Sequence, residues 1–219
     1  MDRIRTEILS KGMVPVFNHA DKEVAFRVVK ACYDAGLRVF EWTNRGAGAA
    51  SMFRVIKEFI DRNCPGMILG AGSVFDGETC RKFHSMGASF IVSPVIDPEM
   101  ATVCKELKLL WIPGCGTVTE IHQARKWGAG IVKIFPGDAV GGPGFVKAVL
   151  GPMPWAEIMP TGGVNPDPEN LKAWFKVGVC CVGMGSQLFT KERVNDENAE
   201  NLVTEISKTL NSIKECRKM

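Results

Sequence analysis

Largely apolar runs of strand length recur along the 219-residue chain at 14–17, 39–42, 67–70, 90–92, 109–112, 131–134, 157–159 and 179–182. Between them lie segments whose apolar residues return every three or four positions, at 22–35, 49–62, 78–86, 98–106, 119–127, 144–150, 168–177 and, last, 195–215. That spacing predicts helices with one face against a core. Residues 2–11 share it and predict an extra amphipathic helix ahead of the first strand. Strands that are apolar at nearly every position are buried on both faces, which calls for a parallel sheet covered by helices. Eight of them at regular intervals predict closure into an α/β fold of the (β/α)8 TIM-barrel type. A doubly wound open sheet is the alternative, with fewer strands and a glycine fingerprint after the first. The turn-rich stretch 137–144 is only loop-length, so residues 1–219 are expected to form one barrel domain.

Composition narrows the partners. A formal net charge of +3 with 23% charged residues leaves neither a basic stripe nor an acidic tail, so nucleic acid gains no support. The apolar runs stop well short of the roughly 20 residues that cross a membrane. The opening MDRIRTEILSKG lacks the apolar centre of a signal peptide. The expectation is a soluble, cytoplasmic protein that engages neither membrane nor nucleic acid.

The eight cysteines, Cys32, Cys64, Cys80, Cys104, Cys115, Cys180, Cys181 and Cys216, form no CxxC or Cys/His cluster. They are expected to be mostly small buried hydrophobes in a reducing compartment. Cys115 alone stands near a strand end, where a plain turn residue is the simpler reading. No two of His19, His84 and His122 sit at a metal-ligand spacing, so no metal is expected. His19 follows the first strand and is placed to line a barrel mouth, whereas His84 and His122 fall on helical segments and are expected outside.

In a parallel barrel, chemistry gathers at the carboxyl ends of the strands. There the most informative residue is Lys133, inside the apolar run Ile131-Val132-Lys133-Ile134. A buried ammonium is costly. Desolvation lowers its pKa and leaves the free amine that forms an imine with a carbonyl. The competing reading is a strand-end lysine that reaches solvent or pairs with a carboxylate. Glu41 poses the same question on strand two: a structural partner for Lys133, or a proton shuttle for imine chemistry. Arg45, just beyond it, is either a bidentate carboxylate site, with Ser73 adding a hydroxyl, or a solvated surface charge. Thr161-Gly162-Gly163 and Gly183-Met184-Gly185-Ser186 end strands seven and eight. Their glycines let backbone N–H groups converge on a phosphate, unless both are simply tight turns.

Six segments in register then resemble one known family: FEWTNRG at 40–46, GAGSV at 70–74, SPVID at 93–97, IPGCGTVTE at 112–120, VKIFPGD at 132–138 and MPTGGV at 159–164. It is the 2-keto-3-deoxy-6-phosphogluconate aldolase and 4-hydroxy-2-oxoglutarate aldolase family, and the resemblance runs from Val14 to about Leu188. It implies a class I aldolase with Lys133 as the Schiff-base lysine, Glu41 as acid/base, and Arg45 with Ser73 on the substrate carboxylate. Ser73 stands where the family usually has threonine. Thr161, Gly162 and Gly163 correspond to the phosphate loop, with Gly183, Gly185 and Ser186 as its second half. Pro94 and Phe135 correspond to the apolar walls beside the imine, with Thr117 added to that wall. The family's usual Phe-Phe-Pro-Ala is here Ile134-Phe135-Pro136-Gly137.

The resemblance further implies a homotrimer without cofactor, acting on a small keto acid in carbohydrate metabolism such as the Entner–Doudoroff route. The reaction expected is reversible cleavage of a 2-keto-4-hydroxy acid to pyruvate and an aldehyde. Two alternatives stay in view. One is another phosphate-binding barrel enzyme, such as a phosphosugar epimerase or a thiamin phosphate synthase-like protein. The other is a barrel that binds a ligand without catalysis.

Overall fold

The computed structural model describes residues 2–196 and 198–218. Helix α1 (Asp2–Lys11) precedes an alternation of strands and helices: β1 (Met13–Phe17), α2 (Lys22–Asp34), β2 (Val39–Thr43), α3 (Ala49–Asn63), β3 (Ile68–Gly72), α4 (Gly77–Ser85), β4 (Phe90–Val92) and α5 (Pro98–Glu106). It continues through β5 (Leu110–Ile112), β6 (Gly114–Cys115), α6 (Val118–Lys126), β7 (Ile131–Ile134), α7 (Gly142–Leu150), β8 (Glu157–Pro160), α8 (Pro168–Lys176) and β9 (Val182–Met184). Helices α9 (Lys191–Asn195) and α10 (Ala199–Cys216) close the chain.

All strand pairings are parallel, in the orders β5-β4-β3-β2-β1-β9 and β6-β7-β8. Segments β5 and β6 are two halves of one stave. Between them Pro113 has no N–H to give, but its carbonyl accepts from Lys133 N at 2.8 Å. On the other side a parallel bridge from Thr161 to Gly183 links β8 to β9. The sheet therefore closes into the (β/α)8 barrel that the apolar runs predict, with α1 as the extra helix.

Most helices start where a side chain takes up their free N–H groups. Asp21, Asp76, Asp97, Thr117, Asp167 and Asn198 each accept such bonds. Alternation along the strands sorts side chains into two cores. Phe40, Trp42, Val132 and Ile134 face the helices in the larger one. Val14, Val39, Phe90, Val92, Leu110, Ile112, Ile131, Met159 and Cys181 fill the barrel interior together with Ile8 of α1. Helix α1 thus stoppers the amino-terminal end of the barrel. Arg5 ties it to Glu157 at the start of β8 through Nε–Oε2 at 2.8 Å and a second ion-pair contact.

Three boundaries depart from the hydropathy pattern. The eighth stave lies at Val182–Met184, not 179–182, because pairing with β1 begins at Met13 and Val182. Upstream, Gly178 turns out of α8 with φ 99°, and Cys180 N–H is held by Ile158 O at 3.0 Å. Ladder bonds come from backbone, so Gly183 serves in a strand that a hydropathy pattern ends too early. The helix predicted over 195–215 begins later, at Ala199: Asp196 Oδ1 accepts from Asn198 N at 2.9 Å, Asn198 caps α10, and the short α9, capped by Thr190, precedes it. Residue 197 lies outside the described residues. Helix α7 begins at Gly142, earlier than its apolar residues suggest, with Pro143 suited to the first turn.

The stopper makes a testable distinction. Ile8→Ala is expected to lower the unfolding free energy by about 2–5 kcal/mol, read from the urea midpoint at unchanged m-value. Arg5→Ala removes a half-exposed ion pair and is expected to cost under about 1 kcal/mol.

Candidate active site

Val39, Glu41 and Thr43 share the inward face of β2, as Ile131 and Lys133 share that of β7, because alternate strand residues point the same way. Glu41 and Lys133 are accordingly buried, at 1% and 4% exposure, one step above the apolar interior layer. Neither oxygen of Glu41 has a hydrogen-bond partner among the described residues. Its carboxyl lies against Gly72, where a Cβ would collide with it. The Lys133 ammonium position is 4.5 Å from the centre of the Phe135 ring.

Burial sets the electrostatics of the pair. It raises the Glu41 carboxyl above the usual carboxylate range, against the opposing pull of Lys133 and Arg45. It lowers Lys133 below the usual lysine range, with Arg45 acting in the same direction and Glu41 opposing. Both shifts favour the neutral forms, a carboxylic acid beside a free amine. That is the state in which an amine attacks a carbonyl and an acid supplies the proton.

The loops after β2 and β3 bring the next two residues together. Arg45 is exposed, and its Nε donates to Ser73 Oγ at 3.2 Å. Ser73 holds the left-handed backbone region at φ 56°, uncommon for a residue with a Cβ, directly after Gly72 takes the Asn44 N–H at 2.8 Å. Pro94 is half-buried, and its carbonyl packs where a Cβ on Gly114 would stand.

Across the mouth, Thr161 pairs with Gly183, and its hydroxyl is buried without a partner among the described residues. Gly162 and Gly163 follow with φ 92° and 71°, conformations glycine adopts without strain. Among the described residues no acceptor takes the N–H groups of Gly162, Gly163, Gly185 or Ser186. Gly163 O is fixed by Asn170 Nδ2 at 3.0 Å and by Trp174 Nε1 at 3.4 Å. The arrangement presents free donors on a fixed backbone, the requirement for an anion cradle.

Other sequence-picked residues sit differently. Thr117 is exposed, and its hydroxyl takes part in a capping box with Glu120 that starts α6. Cys115 faces the helices, buried, with its thiol pushed up to about 12 by that burial. Cys180 and Cys216 are only partly buried, the other six cysteines fully so, and all eight are free thiols. His19 stacks on Phe17 and accepts the Asp21 N–H on Nδ1 at 3.1 Å, beside Arg45 in a cleft of about 230 Å³. His122 is exposed, whereas His84 is half-buried with an unpartnered Nδ1, not simply exterior.

Sequence reasoning passed over three neighbours. Thr43 shares the inward face with Glu41, and strand alternation was the signal for it. Asp138 abuts Gly162 and Gly163. Asn18 bonds the Arg45 carbonyl at 3.0 Å. Asp138 closes the segment VKIFPGD without standing out in it, and nothing in the sequence pattern marks Asn18, since both contacts are made between loops.

The profile of the KDPG and KHG aldolase family matches residues 4–205. The chain belongs to that family. Among its relatives, the 2-dehydro-3-deoxy-phosphogluconate aldolase of Haemophilus influenzae is 30% identical over 179 residues, 82% of each chain. The KHG/KDPG aldolase of Escherichia coli K12 is 32% identical over 178 residues, 80% of this chain and 81% of that one. The KDPG aldolase of Legionella pneumophila, solved with pyruvate captured as a covalent carbinolamine, superposes with a TM-score of 0.83 at 25% identity. The match covers 93% of this chain and 96% of that one. Family membership makes the protein a carbon–carbon lyase. Likeness to a thiamine phosphate pyrophosphorylase of Pyrococcus furiosus, TM-score 0.65 at 14% identity, extends to the fold alone.

For this aldolase-family barrel the buried lysine carries a stability cost with a defined pH course. Its folded pKa is lowered. Between that value and the ordinary lysine value of about 10.4, the unfolded chain binds a proton that the folded one does not. The cost is therefore full below the folded pKa and gone near pH 10. Lys133→Met is expected to raise the denaturation midpoint at pH 6, with the gain shrinking as pH rises.

Proposed function

We propose that this chain is a class I aldolase in which Lys133 is the imine-forming nucleophile and Glu41 the acid/base. The observation that carries the proposal is the burial of both groups, with the Glu41 carboxyl unpartnered among the described residues and each group shifted toward its neutral form. The Lys133 amine adds to the C2 carbonyl of a 2-keto-4-hydroxy acid. Glu41 protonates the carbinolamine oxygen, which leaves as water, giving the imine. Glu41, now a carboxylate, takes the C4 hydroxyl proton directly or through water. The C3–C4 electron pair moves into the imine to form an enamine, and the aldehyde departs. Protonation of the enamine at C3 and hydrolysis return the amine and release pyruvate.

Arg45 and Ser73 hold the C1 carboxylate in this reading, supported by a guanidinium whose Nη groups have no partner among the described residues. Thr161, Gly162, Gly163, Gly183, Gly185 and Ser186 take a terminal phosphate, supported by the free N–H groups there. Phe135 and Pro94 flank the imine. The substrates are 2-keto-3-deoxy-6-phosphogluconate, giving glyceraldehyde 3-phosphate, and 4-hydroxy-2-oxoglutarate, giving glyoxylate. Assembly as a homotrimer belongs to the same proposal. The exposed apolar side chains Phe75, Val95 and Val118, all on the rim after β3, β4 and β6, support a covered face there.

Borohydride added with pyruvate is expected to leave a secondary-amine adduct on Lys133, located by peptide mass spectrometry; an unmodified Lys133 refutes the assignment. Lys133→Met is expected to lower kcat by on the order of 10⁴-fold or more, and Glu41→Gln by about 10²–10⁴-fold. Ser186→Ala is expected to raise KM for the phosphorylated substrate several-fold and leave that for 4-hydroxy-2-oxoglutarate unchanged, as steady-state kinetics with both will check.

A further inference from the structure

The arginine assigned to the substrate carboxylate stands on a segment that packing hardly holds. Residues 45–48 are exposed, and a Cβ built on Gly46 or Gly48 would meet nothing within 4 Å. Behind the segment is the cleft of about 230 Å³ bounded by Asn18, His19, Trp42 and Met52. With so few van der Waals neighbours, hydrogen bonds decide where this backbone lies. Before the arginine, Asn44 N donates to Gly72 O at 2.8 Å, and Arg45 N to Thr43 O at 2.9 Å. After it, Trp42 Nε1 donates to Ala49 O at 3.0 Å. At the arginine itself, the carbonyl accepts the Nδ2 amide of Asn18 at 3.0 Å, from the loop after β1. The guanidinium is then turned by its Nε bond to Ser73.

The geometry points to Asn18 as a positioning residue for Arg45, an inference that rests on reading Arg45 as the carboxylate site. By holding the Arg45 carbonyl, Asn18 fixes the peptide from which the side chain departs. Ser73 fixes the far end, and the two Nη groups stay free for a fork-to-fork contact. Three successive loops, after β1, β2 and β3, are thereby tied into one carboxylate clamp. A carbonyl needs a donor, so a leucine of nearly the same shape breaks the tie without emptying the space.

Asn18→Leu, Arg45→Ala and the double variant separate the possibilities, with steady-state kinetics on a 2-keto-4-hydroxy acid and melting temperature as readouts. The inference predicts a rise in KM of about five-fold for Asn18→Leu, the worth of one neutral hydrogen bond, with kcat within about two-fold and little change in melting temperature. In the Arg45→Ala background the same change is expected to leave KM unaltered. An equal KM effect in both backgrounds, or a loss of kcat with a lowered melting temperature, would show a merely structural asparagine. Arg45→Ala raising KM while Asn18→Leu does not overturns the inference alone. Arg45→Ala without effect on KM overturns the carboxylate reading and this inference with it.

Discussion

Two ionisable groups share a volume that water scarcely reaches: Lys133 and Glu41 stand inside a closed parallel barrel, above an apolar floor. An ammonium and a carboxylate moved out of water each lose hydration that costs free energy unless hydrogen bonds replace it. Burial drives both toward their neutral forms, the glutamate up and the lysine down. In water near neutrality, an ordinary lysine and glutamate are both charged and inert toward a ketone. In the proposed chemistry those neutral forms are the acid and the nucleophile, and Arg45 adds to the lysine's shift.

That burial explains features elsewhere in the barrel. Helix α1 packs Ile8 into the interior cluster at the amino-terminal end, opposite the side where chemistry is proposed. Interior positions that would crowd the ionisable layer carry glycine: Gly72 admits the Glu41 carboxyl, and Gly183 admits the Thr161 hydroxyl. A Cβ at either glycine would displace the polar side chain that now fills its place. Stability is concentrated at the floor and polar function at the rim, the usual division of this architecture.

Much of this was legible in the residue order, and the reason is local. An apolar strand is recognisable wherever it is buried on both faces, so seven of the eight staves start at or within one residue of the runs that predict them. A charged residue inside such a run is equally visible, which is why Lys133 and Glu41 could be singled out before any fold was known. Helix α5 falls on 98–106 because Asp97 and Pro98 form a start signal that needs no distant partner. The eighth stave was displaced because its pairing with β1 is made by backbone at Val182–Met184, where glycine lowers the apolar signal.

The site's outer members were less legible. Thr117 had the right position at a strand end, yet its hydroxyl belongs to a helix cap. Asn18 looked like any loop residue until the Arg45 carbonyl came within 3.0 Å of it. The chain by itself therefore determined which segments are buried and which of them carry a misplaced charge, because burial and periodicity are written residue by residue. Only the tertiary structure decided which loops meet at the mouth, that the two charges share one dry interior, and which donors are left free. Those are relations between residues far apart in the chain, set by barrel closure and not by any local preference.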